Sequence, residues 1–219
     1  MKYRLASFAL VLAVVIVGKE YYRDATAADL RWILAPTAYL VSLFTGGHFT
    51  YEAGAGYADN ALKFVIAPPC AGLNFAMAAF AAVMLASTLT DWRTFGKRVA
   101  MAMGLAYVAT IVINTIRISI AVAMHRGTLD VGIADRAEAH RLEGIVVYLG
   151  GLLLLYVLSK GKHITVPIAA YLVITLGLPL ANGAAGRGDF VMHAVWVLAA
   201  CAVVLAIAFA ISRLRRTPC

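Results

Sequence analysis

Three side chains of this sequence are of kinds that act together in acyl chemistry, and each sits where its type is unexpected. Cys70 lies in Pro68-Pro69-Cys70-Ala71-Gly72-Leu73-Asn74-Phe75, where a proline pair, a thiol and a long apolar run meet. Prolines cannot continue a helix backwards, and they push the residue before them towards extended geometry. The chain is therefore expected to arrive stretched and to begin a helix at the thiol. A helix N-terminus carries partial positive charge and free N–H groups, which favours a thiolate nucleophile. An unpaired cysteine in apolar surroundings is as a rule an inert small hydrophobe, so Cys70 alone decides nothing.

Arg117 interrupts a run from Thr110 to Met124 that is otherwise apolar apart from Asn114, Thr115 and Ser119. An arginine near the centre of a membrane helix costs roughly 2.5–3.5 kcal/mol on insertion scales, so it is either a snorkelling residue near a helix end, paired, or functional. Asn114 precedes it by three residues and shares its helix face, giving a polar stripe expected to point into a bundle. His140 stands in Asp135-Arg136-Ala137-Glu138-Ala139-His140-Arg141-Leu142-Glu143-Gly144, a charged helical lead into a further apolar run, with Glu143 one turn on.

The elements that must position these groups are membrane helices. Of 219 residues 63% are hydrophobic and only 14% charged, against about a quarter charged in soluble domains. The formal charge of +8 falls in short clusters between apolar runs and forms no continuous basic face, which speaks against nucleic acid. Cys70, Cys201 and Cys219 give an odd count and no disulfide framework. His48, His125, His163 and His193 lack metal-ligand spacing, so no zinc site is expected, and no phosphate-binding glycine loop occurs. With no internal repeat or separate soluble part, residues 1–219 read as a single integral membrane domain.

In chain order, Leu5 to Val17 reads as a first membrane helix, although Lys2, Arg4 and Ala25-Thr26-Ala27 would also suit a signal sequence. Leu30 to Phe44 forms a second span, with Pro36 inside. The stretch from Thr45 to Ala67, punctuated by Gly46, Gly47, Gly54 and Gly56, reads as a loop ending in an extended piece at Leu62 to Ile66. Ala71 to Thr90 is free of charge and long enough to cross roughly 30 Å of hydrocarbon. Further spans are expected at Val99 to Met124, in the apolar run that follows Gly144 and ends at Leu158, at Val166 to Leu180 and at Val191 to Ser212. The fold class is all-α, a polytopic transmembrane bundle of about seven spans.

Lysine and arginine mark cytoplasmic loops. Residues 91–98, 159–165 and the C-terminal tail carry eight basic residues against Asp91, whereas 45–69, 125–144 and 181–190 carry five basic against seven acidic. The second set is therefore outside, and Cys70 faces the periplasm or exterior of a cell (inner) membrane. Seven spans place the N-terminus outside, a position with which Lys2 and Arg4 disagree. Counted from the inner loops, Cys70, Arg117 and His140 each lie about 28–32 Å up their helices at 1.5 Å per residue, so all three share one outer level.

Cys70 in Cys-Ala-Gly, Arg117 in Asn-Thr-Ile-Arg and His140 ahead of Glu143-Gly144, in this order and each at the outer end of a span, resemble the exosortase/archaeosortase family of membrane transpeptidases. The resemblance covers about Leu62 to Leu158, and the short chain points to a compact subgroup such as the K type. It implies a Cys-Arg-His site, here Cys70, Arg117 and His140, that needs no cofactor. That site would cut C-terminal tripartite sorting tails of exported proteins and transfer the new carboxyl end to an acceptor. Alanine stands at position 71 where serine commonly follows the cysteine, which bears on substrate and acceptor.

On that reading His140 deprotonates Cys70, Arg117 stabilises the oxyanion with Asn114 orienting it, and Glu143 orients the imidazole or is a plain surface charge. The tail itself would be a membrane helix docking beside the bundle. Gly150-Gly151 and the alanine-rich third helix offer close approach, as ordinary helix packing also would. Membrane lipid surrounds the bundle, and no oligomeric state is implied. Two other readings stand beside this one: a small non-catalytic transporter or binding protein holding an anion on Arg117, and a lipid acyltransferase using Cys70 and His140.

Overall fold

The computed structural model describes residues 2–86, 94–129, 136–186 and 188–214. Parts of several sequence features lie outside the described residues: the end of the span expected to reach Thr90, the start of the basic loop at 91–98, residues 130–135, Arg187, and the tail from Arg215 to Cys219. Seven helices occur among the described residues: α1 Lys2–Asp24, α2 Arg31–Thr45, α3 Leu73–Ala86, α4 Phe95–His125, α5 Arg136–Leu158, α6 Thr165–Ala181 and α7 Gly188–Leu214. Five are long and apolar enough to cross a membrane, namely α1, α3 with its leading turn, α4, α5 and α7. The exposed faces are apolar as well. Val203 and Phe209 on α7 are each 58% exposed, as suits a helix that meets lipid rather than water.

α3 is the central helix, packed against α1, α4, α5 and α6. Its alanines Ala78, Ala79, Ala81 and Ala82 are buried in the core around α3, the inner core, so of the two readings of them it is ordinary helix packing that the fold uses. Small side chains bring helix backbones close, and here they do so within the bundle. Gly151 is used in the same way: a Cβ there would lie 2.8 Å from Ile113, so the glycine admits α4. Gly150 faces open space.

α2 departs from the expected second span. At 15 residues it reaches about 22 Å, short of a hydrocarbon core. It lies alongside the C-terminal part of α4, called its outer part from here on, and runs in the same direction. Near its start, Tyr107 Oη donates to the Trp32 carbonyl at 2.9 Å, and the two rings stack at 5.7 Å. At its end, Arg126 Nη1 donates to the Thr45 carbonyl at 2.7 Å. α4 has 31 residues, about 46 Å, and so extends well beyond the thickness it needs to span.

The glycine-marked stretch is a small antiparallel sheet rather than a loop. Strands β1 Thr50–Glu52, β2 Gly56–Asp59 and β3 Phe64–Ile66 pair in the order β1-β2-β3, with Tyr51 opposite Tyr57 and Ala58 opposite Val65. Gly54 and Gly56 take φ of 82° and 125° in and after the first turn, which side chains would resist. Asp59 makes the second turn: its carboxylate accepts the amides of His48 at 2.6 Å, Leu62 at 2.9 Å and Ala61 at 3.0 Å. With α2 and the outer part of α4 this sheet closes a second apolar cluster, including Leu34, Val41, Tyr57, Ile66, Ala71, Leu73, Ile118 and Val122. Cys70 lies where the chain passes from that outer cluster into the inner one.

Candidate active site

The proline pair does not start an α-helix at the thiol. Ala67 is extended at ψ 170°, and Pro68–Ala71 form a 3-10 turn in which the Cys70 amide donates to the Ala67 carbonyl at 2.8 Å. Gly72 then turns left-handed at φ 72°, and α3 begins at Leu73. The thiol therefore belongs to a tight turn separated from α3 by a glycine, and the helix-terminus argument for a thiolate does not apply in the expected form.

The turn is held from three sides. Tyr22 Oη at the end of α1 donates to the Pro68 carbonyl at 3.2 Å. Asn114 Nδ2 on α4 donates to the Cys70 carbonyl at 2.5 Å. At Gly72 a Cβ would meet Thr110 at 3.2 Å, Asn114 at 3.3 Å and the Tyr148 hydroxyl at 3.3 Å, so only the missing side chain lets α4 and α5 approach. Below the turn, Lys19 Nζ donates to Asn74 Oδ1 at 2.7 Å.

From Asn114 the polar contacts run on without a break. Tyr148 Oη donates to Asn114 Oδ1 at 2.7 Å, and Arg117 Nη1 donates to Tyr148 Oη at 3.3 Å. Arg117 Nη2 stands 3.3 Å from His140 Nε2. Glu143 Oε2 lies 3.4 Å from His140 Nδ1 and 3.8 Å from Arg117 Nε. A guanidinium only donates, so a neutral His140 presents its Nε2 lone pair to Arg117 and carries its proton on Nδ1, towards Glu143. The Glu143 side chain is 6% exposed and has no hydrogen bond among the described residues, leaving the Arg117 cation and the imidazole as its neighbours. Gly144 makes that approach possible, since a Cβ there would lie 3.0 Å from Arg117 Nε. Arg117 also sits over the Tyr148 ring at 5.2 Å, and Phe75 stacks on that ring at 5.3 Å.

Four residues singled out in the sequence, Asn114, Arg117, His140 and Glu143, thus form one cluster with the main chain of Cys70. The Cys70 side chain is half-buried, and among the described residues no hydrogen bond joins its sulfur to Arg117 or His140. Cys201 is buried in the inner core, away from this cluster. Sequence reading missed Tyr148 and Tyr22. Tyr148 was within reach of it: His140, Gly144 and Tyr148 are spaced by four and share one face of α5. Tyr22 carries no such signal, because its contact with Pro68 spans 46 residues.

No protein-family model, curated protein or solved structure matches this chain. The cluster combines the turn that carries a half-buried thiol, an imidazole whose tautomer is set by the donating Arg117, and a guanidinium that can donate to an oxyanion. Among the described residues no group of His, Cys, Asp or Glu is placed to hold a metal ion. His125, for one, is engaged with the Leu62 carbonyl at 3.0 Å.

An apolar groove of about 460 Å³ opens beside α3, lined by Val14, Trp32, Leu73, Met77, Phe80 and Met103 among others. Leu73 places its upper end three residues past Cys70.

Proposed function

We propose that this protein is a membrane-embedded cysteine peptidase or transpeptidase of the exosortase type, acting on exported proteins at the outer face of the membrane. The observation that carries the reading is the unbroken series of contacts from the Cys70 turn through Asn114, Tyr148 and Arg117 to His140 and Glu143. The network is buried or half-buried at Asn114, Tyr148, Arg117 and Glu143 and opens to the surface at His140, and polar groups at such depth in an apolar bundle are costly to maintain unless they are used.

In the proposed reaction a peptide carbonyl enters beside Cys70 and competes for an Arg117 N–H. That frees the His140 Nε2 lone pair, which takes the Cys70 proton as the sulfur attacks. The C=O opens to an oxyanion held by Arg117, where little water competes. Collapse breaks the C–N bond, His140 returns the proton to the leaving amine, and a Cys70 thioester forms. A water or amine acceptor then gives its proton to His140 as it attacks the thioester carbonyl, the C–S bond breaks to release the acyl group on the acceptor, and His140 passes the proton back to the Cys70 sulfur. Glu143, 3.4 Å from Nδ1, supplies the negative charge that favours the imidazolium formed on the way. A carboxylate beside Arg117 also weakens the case for an anion transporter, because the guanidinium already has its counter-charge.

The short length of α2 supports six spans, α1 and α3 to α7, with both termini in the cytoplasm. This arrangement agrees with Lys2 and Arg4, which seven spans would place outside. The groove beside α3 is then where the apolar helix of a substrate tail lies, delivering the bond N-terminal to it to Cys70.

The test compares membrane proteomes of host cells carrying the wild-type chain or Cys70→Ala. Exported proteins ending in an apolar helix and basic residues should keep their tails in the variant and lose them in the wild type. Identical masses in both strains would overturn the reading.

A further inference from the structure

The other flank of α5 carries ionisable groups that the proposed reaction does not use. A cavity of about 320 Å³ lies between the outer ends of α5, α6 and α7, lined in part by Arg141, Thr175, Asp189 and His193. Arg141 follows His140 directly, and a helix turns about 100° per residue, so one side chain faces Arg117 and the other faces α6 and α7. Arg141, Asp189 and His193 share this space, yet among the described residues none of them makes a hydrogen bond or ion pair. The charges of Arg141 and Asp189 nevertheless both act on His193.

Asp189 has a local reason for its position, since an acidic residue in the first turn of α7 suits the helix dipole. Arg141 has none. It lies in the second turn of α5, it is half-buried, and among the described residues no carboxylate pairs with it. A half-buried arginine that faces a cavity at the end of apolar helices can take an anion from outside the chain. Its planar fork fits a phosphate. The neighbouring carboxylate selects among phosphates: it would repel a bare anion and favour one that carries its own ammonium group. Pro179 and Phe190 complete the lining with apolar surface suited to the glycerol end of a lipid.

We propose that this cavity binds the headgroup of an amine-bearing phospholipid, with Arg141 and His193 on the phosphate and Asp189 on the ammonium. The proposal rests on the membrane placement argued above and does not depend on catalysis at Cys70.

The full chain, reconstituted in nanodiscs of phosphatidylethanolamine, phosphatidylglycerol and phosphatidylcholine in equal parts, is released into native mass spectrometry and its retained lipids are identified. Phosphatidylethanolamine should be retained about tenfold over the other two, the difference expected from one or two charge-assisted hydrogen bonds. Arg141→Gln should remove the excess, and Asp189→Asn should level phosphatidylethanolamine with phosphatidylglycerol. In separate arms, free phosphoethanolamine should displace the lipid weakly and inorganic phosphate not at all. Equal retention of the three lipids, full retention by Arg141→Gln, or displacement by inorganic phosphate would each overturn the proposal. If Arg141→Gln fails to fold by circular dichroism, His193→Gln decides on the same readout, with lower retention supporting the site and unchanged retention refuting it. Cys70→Ala should retain lipid as the wild type does, which separates this site from the reaction.

Discussion

The inner core around α3 and the outer core under α2 and the sheet are held by different means. In the inner core, alanines on α3 and Gly151 on α5 let backbones approach, and the faces turned outward are as apolar as those turned in. Lipid gives such helices no hydrophobic reason to associate, so close packing must do so. The outer core has short strands, two tight turns and a buried carboxylate, Asp59, 4% exposed and fully engaged by backbone amides. Polar fixing of this kind suits a surface that meets water. The polar cluster of Asn114, Arg117, His140 and Glu143 lies at the seam, where on the proposed function a peptide and its apolar tail would be held at once. The comparison teaches that the Cys70 turn is positioned by both cores: Ile66 and Ala71 tie it to the outer one, and α3 carries on into the inner one.

If the seam is a built site, disturbing it should cost more than disturbing either core's surface, and Arg117 is where the difference is largest. Arg117→Ala leaves the buried Glu143 carboxylate without its cation, at about 3–5 kcal/mol, read as a lower melting temperature in detergent. Tail processing should also fall about 10²- to 10³-fold, as for a lost oxyanion donor. Unchanged stability and processing would remove Arg117 from the account. Gly72→Ala forces a side chain into a left-handed position for about 1–2 kcal/mol and presses on Asn114 and Tyr148. Its expected signature is a slower alkylation of Cys70 by iodoacetamide with Cys201 unaffected, followed by peptide mass spectrometry. Tyr148→Phe removes the hydroxyl joining Asn114 to Arg117, about 1 kcal/mol, while keeping the stack on Phe75. Processing should drop without loss of the fold.

The smallest effect belongs to the outer core alone. The amides of Leu62 and His48, with that of Ala61, hold the Asp59 carboxyl below the usual carboxylate range. Because the folded value is depressed, its contribution is complete above the ordinary value of about 3.9 and is lost as pH falls from there through the folded value. Hydrogen exchange in residues 48–66 should therefore be slow at pH 5–7 and should rise on acidification below about pH 4. Asp59→Asn should show the faster exchange at every pH, while the Cys70–Asn114 contact and the inner core stay protected. Simultaneous loss of both cores would contradict their separate construction.

What could be read in the sequence follows the same division. Long apolar runs announced α1, α3, α4, α5 and α7, because spanning length and absence of charge are local properties. Counting residues from the inner loops placed Arg117 and His140 at one level, which their 3.3 Å contact matches. Asn114 and Glu143 were legible as same-face neighbours of those two. The outer core was not. Leu30 to Phe44 has the composition of a span, and only its run beside the outer part of α4, from Tyr107 to Arg126, shows that it is placed otherwise. Glycines at 54 and 56 mark turns, but three- and four-residue strands are too short for an alternating pattern to stand out. The start of α3 was misplaced for a related reason. Prolines end what precedes them, whereas the 3-10 turn and the left-handed Gly72 are set by packing against Thr110, Asn114 and Tyr148.

The measurement nearest the central claim is the mass of whatever Cys70 carries during turnover. The protein is isolated from its host membranes after rapid acid quench, digested, and mapped before and after hydroxylamine. The account predicts a hydroxylamine-labile adduct on Cys70 that fragments as a peptide, and none on Cys201. A fatty acyl group on Cys70, or an unmodified Cys70 in membranes where exported proteins are still being shortened, would contradict it.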